Sequence, residues 1–179
     1  MNKLIKNGKI IITILATVLL CSVVFMGFSL ANNQAEAYEL LSWDLIDNGG
    51  HLDYDYSTKY SSTLGASINV WNAHKSGVIR PDSWKIIQDV FVSDYDDSSS
   101  DAAVAYCSSG GKIKLNDHYY VSMSAGERQK TMMHELGHAL GLDENNSVTG
   151  SIMKQGIRSQ TTLIQDDKDG YDASYLNYE

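Results

Sequence analysis

His134-Glu135-Leu136-Gly137-His138-Ala139-Leu140-Gly141 is the stretch that decides how this chain is read. Its two histidines are four residues apart. On a helix that spacing projects both rings from one face, one turn apart. Two imidazole nitrogens so placed can each reach a single zinc ion at about 2.0–2.1 Å. Glu135 follows the first histidine and points toward the same cleft. It is placed to take a proton from an activated water rather than to ligate. The helix is predicted without reference to the histidines. Ser124 and Glu127 make a Ser-x-x-Glu capping box, and the helix runs from about Ala125 to Leu140 before stopping at Gly141. Met133, Leu136 and Leu140 share one flank and are expected to face the core.

A catalytic zinc site needs a third protein ligand and one open position. The helix must therefore end abruptly and send the chain under the metal. Gly141 tolerates the left-handed conformation that such a turn requires. Asp143 and Glu144 follow at once. Two His and one Glu are a known catalytic set, so a carboxylate just past the turn is a chemically acceptable third ligand. Asn145 is a poorer donor. His118 is the other histidine nearby in sequence and is not expected to reach. The bland reading is a pair of histidines on a solvated helix face with acids capping a turn. The capped helix and the glycine at the required place favour the metal.

At this point the residues resemble a family. His134-Glu135-x-x-His138-x-x-Gly141-x-x-Glu144, followed by Ser151-Ile152-Met153, is similar to the metzincin metalloproteases, and within them to the matrixin branch. The resemblance implies one catalytic zinc, Glu135 as general base, and Met153 as an apolar floor beneath the metal. The family's third ligand is usually His, sometimes Asp, ten residues after the first histidine, and this chain has Glu144 there. The resemblance therefore implies Glu144 as third ligand, with Asp143 its neighbouring alternative, and the longer carboxylate must be accommodated by a shift of the turn. Leu163 to Tyr171, with Asp166-Asp167 and Gly170, resembles the segment that opens the last matrixin helix. Gly111 to Asn116 resembles the strand that precedes the active-site helix. The likeness covers about residues 60–178 and is most specific over 134–153. The implied fold is α/β (α+β in some schemes) and zincin-like. It has a twisted mixed β-sheet, an active-site helix, and a small C-terminal subdomain ending in a third helix.

The rest of the chain is read more coarsely. Ser62 to Lys75 reads as a helix, with Leu64, Ile68 and Trp71 on one face and Gly77 near its end. Val78-Ile79 and Ile86 to Val92 read as strands, with Pro81 as a breaker between them. Ser93 to Asp101 is Ser/Asp-rich and reads as a loop. Ala103 to Tyr106 and Lys112 to Leu115 read as strands joined by Ser108-Ser109-Gly110-Gly111. A last helix is expected over Asp166 to Leu176. Asp94, Asp96, Asp97 and Asp101 offer hard oxygen ligands that could hold Ca2+, although a solvated loop is the plainer reading. His51 and His74 read as surface side chains. His51-Leu52-Asp53 superficially resembles a structural zinc motif but lies ahead of the first helix, where the family has none. Cys107 reads as a small buried thiol rather than a latency switch.

The 179 residues carry 14 basic and 22 acidic side chains, a net −8. That balance argues against nucleic acid as a partner, because phosphate binding needs a basic stripe. Lys3, Lys6 and Lys9 precede an uncharged run of 22 residues from Ile10 to Ala31, and Ala35-Glu36-Ala37 is a small-x-small pattern. Residues 1–37 therefore read as a secretory signal peptide. The apolar run is long enough to span a bilayer, so an uncleaved anchor over residues 10–31 is the alternative, with the remainder outside in either case. Residues 38–179 form the expected catalytic domain, net −10, with Cys107 as its one cysteine and no separate prodomain. The expected function is a secreted zinc endopeptidase, monomeric, acting on a peptide or protein laid along the Ala103–Tyr106 strand. A secreted binding domain with a structural or vestigial zinc is the competing reading. The intact Glu135 argues against it, since a structural site needs no general base.

Overall fold

The computed structural model describes residues 37–83 and 88–178. The expected signal peptide or anchor lies outside the described residues, apart from Ala37. Five strands form one mixed sheet: β1 (Leu52–Ser57), β2 (Ile79–Pro81), β3 (Val90–Tyr95), β4 (Ala105–Ser108) and β5 (Lys112–Asn116). Their order is β2-β1-β3-β5-β4. All pairings are parallel except β4 with β5, which is antiparallel. The antiparallel pair is a hairpin, as the Ser108–Gly111 turn implies, and Gly111 supplies its positive φ of 74°. The other strands run parallel because a helix or a long connection intervenes between them.

The registers place Tyr54 opposite Val90, Val92 opposite Ile113, and Cys107 opposite Ile113. One face therefore collects Leu52, Val90, Val92, Ile113 and Leu115, all fully buried. That face forms one core with two helices, α1 (Ser61–His74) and α3 (Ala125–Ala139). Leu64, Ile68 and Trp71 are the buried face of α1, at the spacing expected. Trp71 also donates its indole N–H to the Met133 carbonyl at 3.0 Å, which fixes the first helix against the second. Each large apolar side chain sealed here contributes about 1.5–3 kcal/mol.

Several boundaries differ from expectation. β1 was not anticipated. Its Leu-Asp-Tyr-Asp-Tyr-Ser alternates with period two, but acidic residues are poor strand formers and hide the signal. Pro81 does not interrupt the chain between strands. It ends β2, an edge strand, where a missing N–H is tolerated. Ser93 to Tyr95 belong to β3, not to the following loop. The expected strand residues Ile86 and Ile87 lie outside the described residues. A single helical turn, α2 (Asp117–Tyr120), intervenes, with the Asn116 side chain accepting from the His118 N–H at 3.3 Å. The C-terminal helix, α4 (Gln165–Tyr175), is thus the fourth among the described residues, not the third.

The segment after Ala37 is drawn across the far end of α3. Leu41 N–H donates to the Gly141 carbonyl, Leu45 N–H to Ala139, and Asp143 N–H to Glu39, each at 2.9 Å. These bonds hold the chain as it leaves the helix. Among the described residues no helix is long and apolar enough to cross a membrane.

Candidate metal centre

The helix α3 starts as its sequence dictates. Ser124 and Glu127 close the capping box reciprocally, at 3.3 Å and 2.8 Å. It ends at Gly141, whose φ is +91°. A side chain there would be strained, and its Cβ would fall 2.4 Å from Ser174 Oγ. The chain then reverses beneath the helix and brings Glu144 back to the two histidines. His134 Nε2 lies 3.3 Å and His138 Nε2 3.6 Å from Glu144 Oε1. Asp143 is not part of this group. Its Oδ1 accepts the Glu144 N–H at 2.7 Å and shapes the turn instead.

The donors around this group show what it fits. His134 Nδ1 faces the Ile152 carbonyl at 2.9 Å, and His138 Nδ1 faces the Leu142 carbonyl at 2.8 Å. A carbonyl only accepts, so both imidazoles carry a proton on Nδ1, and in the neutral rings Nε2 is a bare lone pair. Those lone pairs face a carboxylate oxygen, acceptor toward acceptor, which only a proton or a cation between them makes favourable. Glu144 Oε2 is buried without a hydrogen-bond partner among the described residues. Two atoms bound to one tetrahedral zinc at about 2.0–2.1 Å stand about 3.3 Å apart. The three side chains therefore fit a zinc ion in number, chemistry and spacing.

Charge follows the same geometry. Burial works to raise the Glu144 carboxyl, but hydrogen bonds to both imidazoles overcome it and hold it far below the ordinary carboxylate range. Burial pulls His138 down, yet Glu144, the Leu142 carbonyl and Glu135 outweigh it, so the ring sits above its ordinary value. Glu135 is 5% exposed. Burial raises its carboxyl most, against the pull of the two histidines. A raised carboxylate in a cleft is suited to accept and return a proton.

The cleft encloses about 350 Å³. Edge strand β4, with Val104 before it, lines one side, and Gln155 to Ile157 line another. His134, Glu135, His138 and Glu144 line it as well. Met153 is buried under the helix, as a floor would be. Its fit depends on Gly137: a Cβ there would meet Met153 Sδ at 2.4 Å and Trp71 Cζ2 at 3.3 Å. The Met-containing segment is held in turn by Asp167 on α4. Asp167 Oδ1 accepts from Ser151 Oγ at 2.6 Å and from Ile152 N–H at 2.9 Å, and its Oδ2 accepts from Ile164 N–H at 2.9 Å.

A family model described as matrixin matches residues 47–176. The chain is a matrixin. The matrixin model is that of a metallopeptidase domain, and its span agrees with the mixed sheet and helices found here. No curated protein matches the chain. Among solved structures, a chain from the "GM1 bound form of the ECX AB5 holotoxin" is similar, with a TM-score of 0.52 at 15% identity. The match covers 78% of this chain and 89% of that one. At that identity the likeness is one of fold.

Within this matrixin, the other candidates from sequence fall elsewhere. His118 Nδ1 lies 3.9 Å from Asp96 and is not among the metal-competent group. His74 is no free surface side chain: it is 22% exposed and its Nε2 is 2.8 Å from Asp172 Oδ1. Asp94 near the end of β3 and Asp96, Asp97 and Asp101 in the loop after it are in no metal-competent group among the described residues. Asp94 accepts from Thr58 Oγ1 at 2.5 Å, and Asp97 accepts from the Ser99 N–H at 2.9 Å, so both serve turns. The acids that do converge are Asp47, Asp53 and Asp89, where Arg80 Nε donates to Asp53 at 2.5 Å. Cys107 lines the cleft, with its thiol pushed up to about 12 by burial first and Glu135 second, so it stays protonated. Three contributors were missed from sequence: Gly137, Asp167 and Lys130. Lys130, His134 and His138 recur every four residues, so the same face argument that found the histidines could have found the lysine.

Proposed function

We propose that this matrixin is an exported zinc-dependent endopeptidase. The observation that carries the proposal is the convergence of His134 Nε2, His138 Nε2 and Glu144 Oε1 in one cleft with the buried carboxylate of Glu135. Bound zinc would polarise a peptide carbonyl and acidify water. His134 and His138 would hold it through Nε2, with their Nδ1–H groups anchored on backbone carbonyls. Glu144 would complete the set. Glu135 accepts one proton from water as the water oxygen adds to the peptide carbonyl carbon. The carbon–nitrogen bond then breaks, and the proton passes from Glu135 to the departing amine nitrogen, leaving an amine and a carboxylic acid whose remaining water-derived proton is taken up by the amine. Strand β4 is an open edge beside this cleft, suited to a substrate added as a further strand. Export rests on the positive, apolar and small-x-small pattern of residues 1–37.

The test is metal content and peptide cleavage of the purified protein beside Glu135→Gln, Glu144→Ala and Asp143→Ala. About one zinc per chain is expected in the parent, in Glu135→Gln and in Asp143→Ala, and much less in Glu144→Ala. Glu135→Gln should lose cleavage by about 10²–10⁴-fold while keeping zinc. Cleavage equal to the parent would overturn the mechanism. Zinc binding with no cleavage of any peptide by the parent would favour the binding-domain reading.

A further inference from the structure

Lys130 is a lysine where the fold has every reason not to keep one. It is 2% exposed. It sits one turn before His134 on the face that carries both histidines, and it lines the same cleft. Its ammonium donates to the Lys154 carbonyl at 2.5 Å and to the Gly156 carbonyl at 3.4 Å. An ammonium has three donors, so one is left. Among the described residues no carboxylate oxygen lies within 4.0 Å of it, whereas Lys59, Lys75 and Arg80 each have one. A buried charge without a counter-charge is unfavourable unless something supplies one. Burial lowers Lys130 to about 8, which leaves it mainly protonated at neutral pH. Glu135 and Glu144 act on it only from a distance, and the cationic Arg158 opposes them. The wall that takes its hydrogen bonds, Lys154 to Arg158, adds two further positive side chains to a domain that is otherwise strongly acidic.

We propose that Lys130 is a specificity-determining residue that selects a substrate carboxylate entering the cleft beside the scissile bond. This rests on the peptidase reading of the same site. The ammonium is held by two carbonyls, which positions its third donor to meet an anion. A charge-assisted hydrogen bond there discriminates a carboxylate from its neutral amide isostere, because the amide cannot neutralise the buried cation. The carboxylate has two sources, an Asp or Glu side chain within the peptide or the free C-terminus of a short one.

The experiment uses the full chain loaded with zinc and a set of peptides. They carry Glu, Gln or Leu at each position flanking the bond, with free or amidated C-termini. Cleavage of Glu peptides should exceed that of Gln peptides at one position by about tenfold or more in kcat/KM. Lys130→Met should bring that ratio to about one while still cleaving the Leu peptides, and Lys130→Arg should keep the preference. A preference that follows the free C-terminus and not the side chain would assign the carboxylate to the peptide end. A parent ratio near one at every position and terminus, or a preference that survives in Lys130→Met, overturns the proposal. Binding of the same peptides to zinc-loaded Glu135→Gln reads the selection without turnover. Absence of all cleavage would thus count against the peptidase reading, and a lost or retained binding preference would judge Lys130 separately.

Discussion

Gly137 is the residue at which the helix of the candidate metal centre gives up a side chain to the methionine below it. Its place between two histidines looks arbitrary in the sequence, where an internal helix glycine merely costs stability. The packing explains it, since Met153 Sδ occupies the space a Cβ would need. Gly137→Ala is expected to cost about 1–3 kcal/mol through overpacking and to weaken zinc binding by tilting the helix between its ligands. Thermal unfolding with a zinc titration checks both, and an unchanged affinity would show that the floor is not coupled to the site. Gly141 was legible by contrast, because a stop after a capped helix with ligands on it calls for a left-handed residue. Glu144 was named through the matrixin motif, ten residues after His134, and what separates it from Asp143 is the turn, which brings one carboxylate to the histidines and uses the other for the backbone. Lys130 was not read because lysine at a helix position is ordinarily a solvated side chain.

At the level of elements, the clearest forecast was α3, where capping box, apolar flank and terminal glycine all agreed. β1 escaped because two aspartates interrupt its apolar residues, and α2 because four residues carry no periodicity. The link between the Met-containing segment and α4 was invisible as well. The acids at the head of α4 suit any helix N-terminus, and only the fold shows that Asp167 serves Ser151 and Ile152. Asp167→Ala leaves three buried or half-buried donors unmatched. A loss of about 2–4 kcal/mol is expected, seen as a lower denaturant midpoint with an unchanged slope. Asp166→Ala is the control. Asp166 accepts from Asn145 but does not touch the Met-containing segment, so its cost should be smaller.

For the whole molecule, a metal at the candidate centre and protons would compete for one place. In the metal-free protein His138 is raised above 6.5, so its contribution to stability is present below pH 6.5 and lost as pH rises through its folded value. Zinc requires neutral rings, so its contribution grows over the same interval. The rise in Tm on adding zinc should therefore increase from pH 5 to pH 8, reaching about 10 °C when zinc is far above its dissociation constant. Thermal scans with and without a chelator check this, and a shift that is constant with pH would count against histidine ligation. Peptidase activity should fall in mild acid for the same reason. The sheet order and the parallel pairings could not be read from single strands, because register depends on partners distant in the chain. The matrixin resemblance implied a mixed sheet with an active-site helix, where periodicity supplied only pieces, and neither gave the strand order.

The bonds that tie Glu39, Leu41 and Leu45 to residues 139–143 also set a schedule. They join parts of the chain about a hundred residues apart, and Asn145 reaches across 108 positions to the Ala37 carbonyl. Contacts of such long range form late, since loop closure must precede any reward for it. Until the two segments have met there is no such ladder, and the turn that carries Glu144 stays unsupported. The candidate metal centre is thus completed only once two segments about a hundred residues apart have met, which places its assembly late in folding.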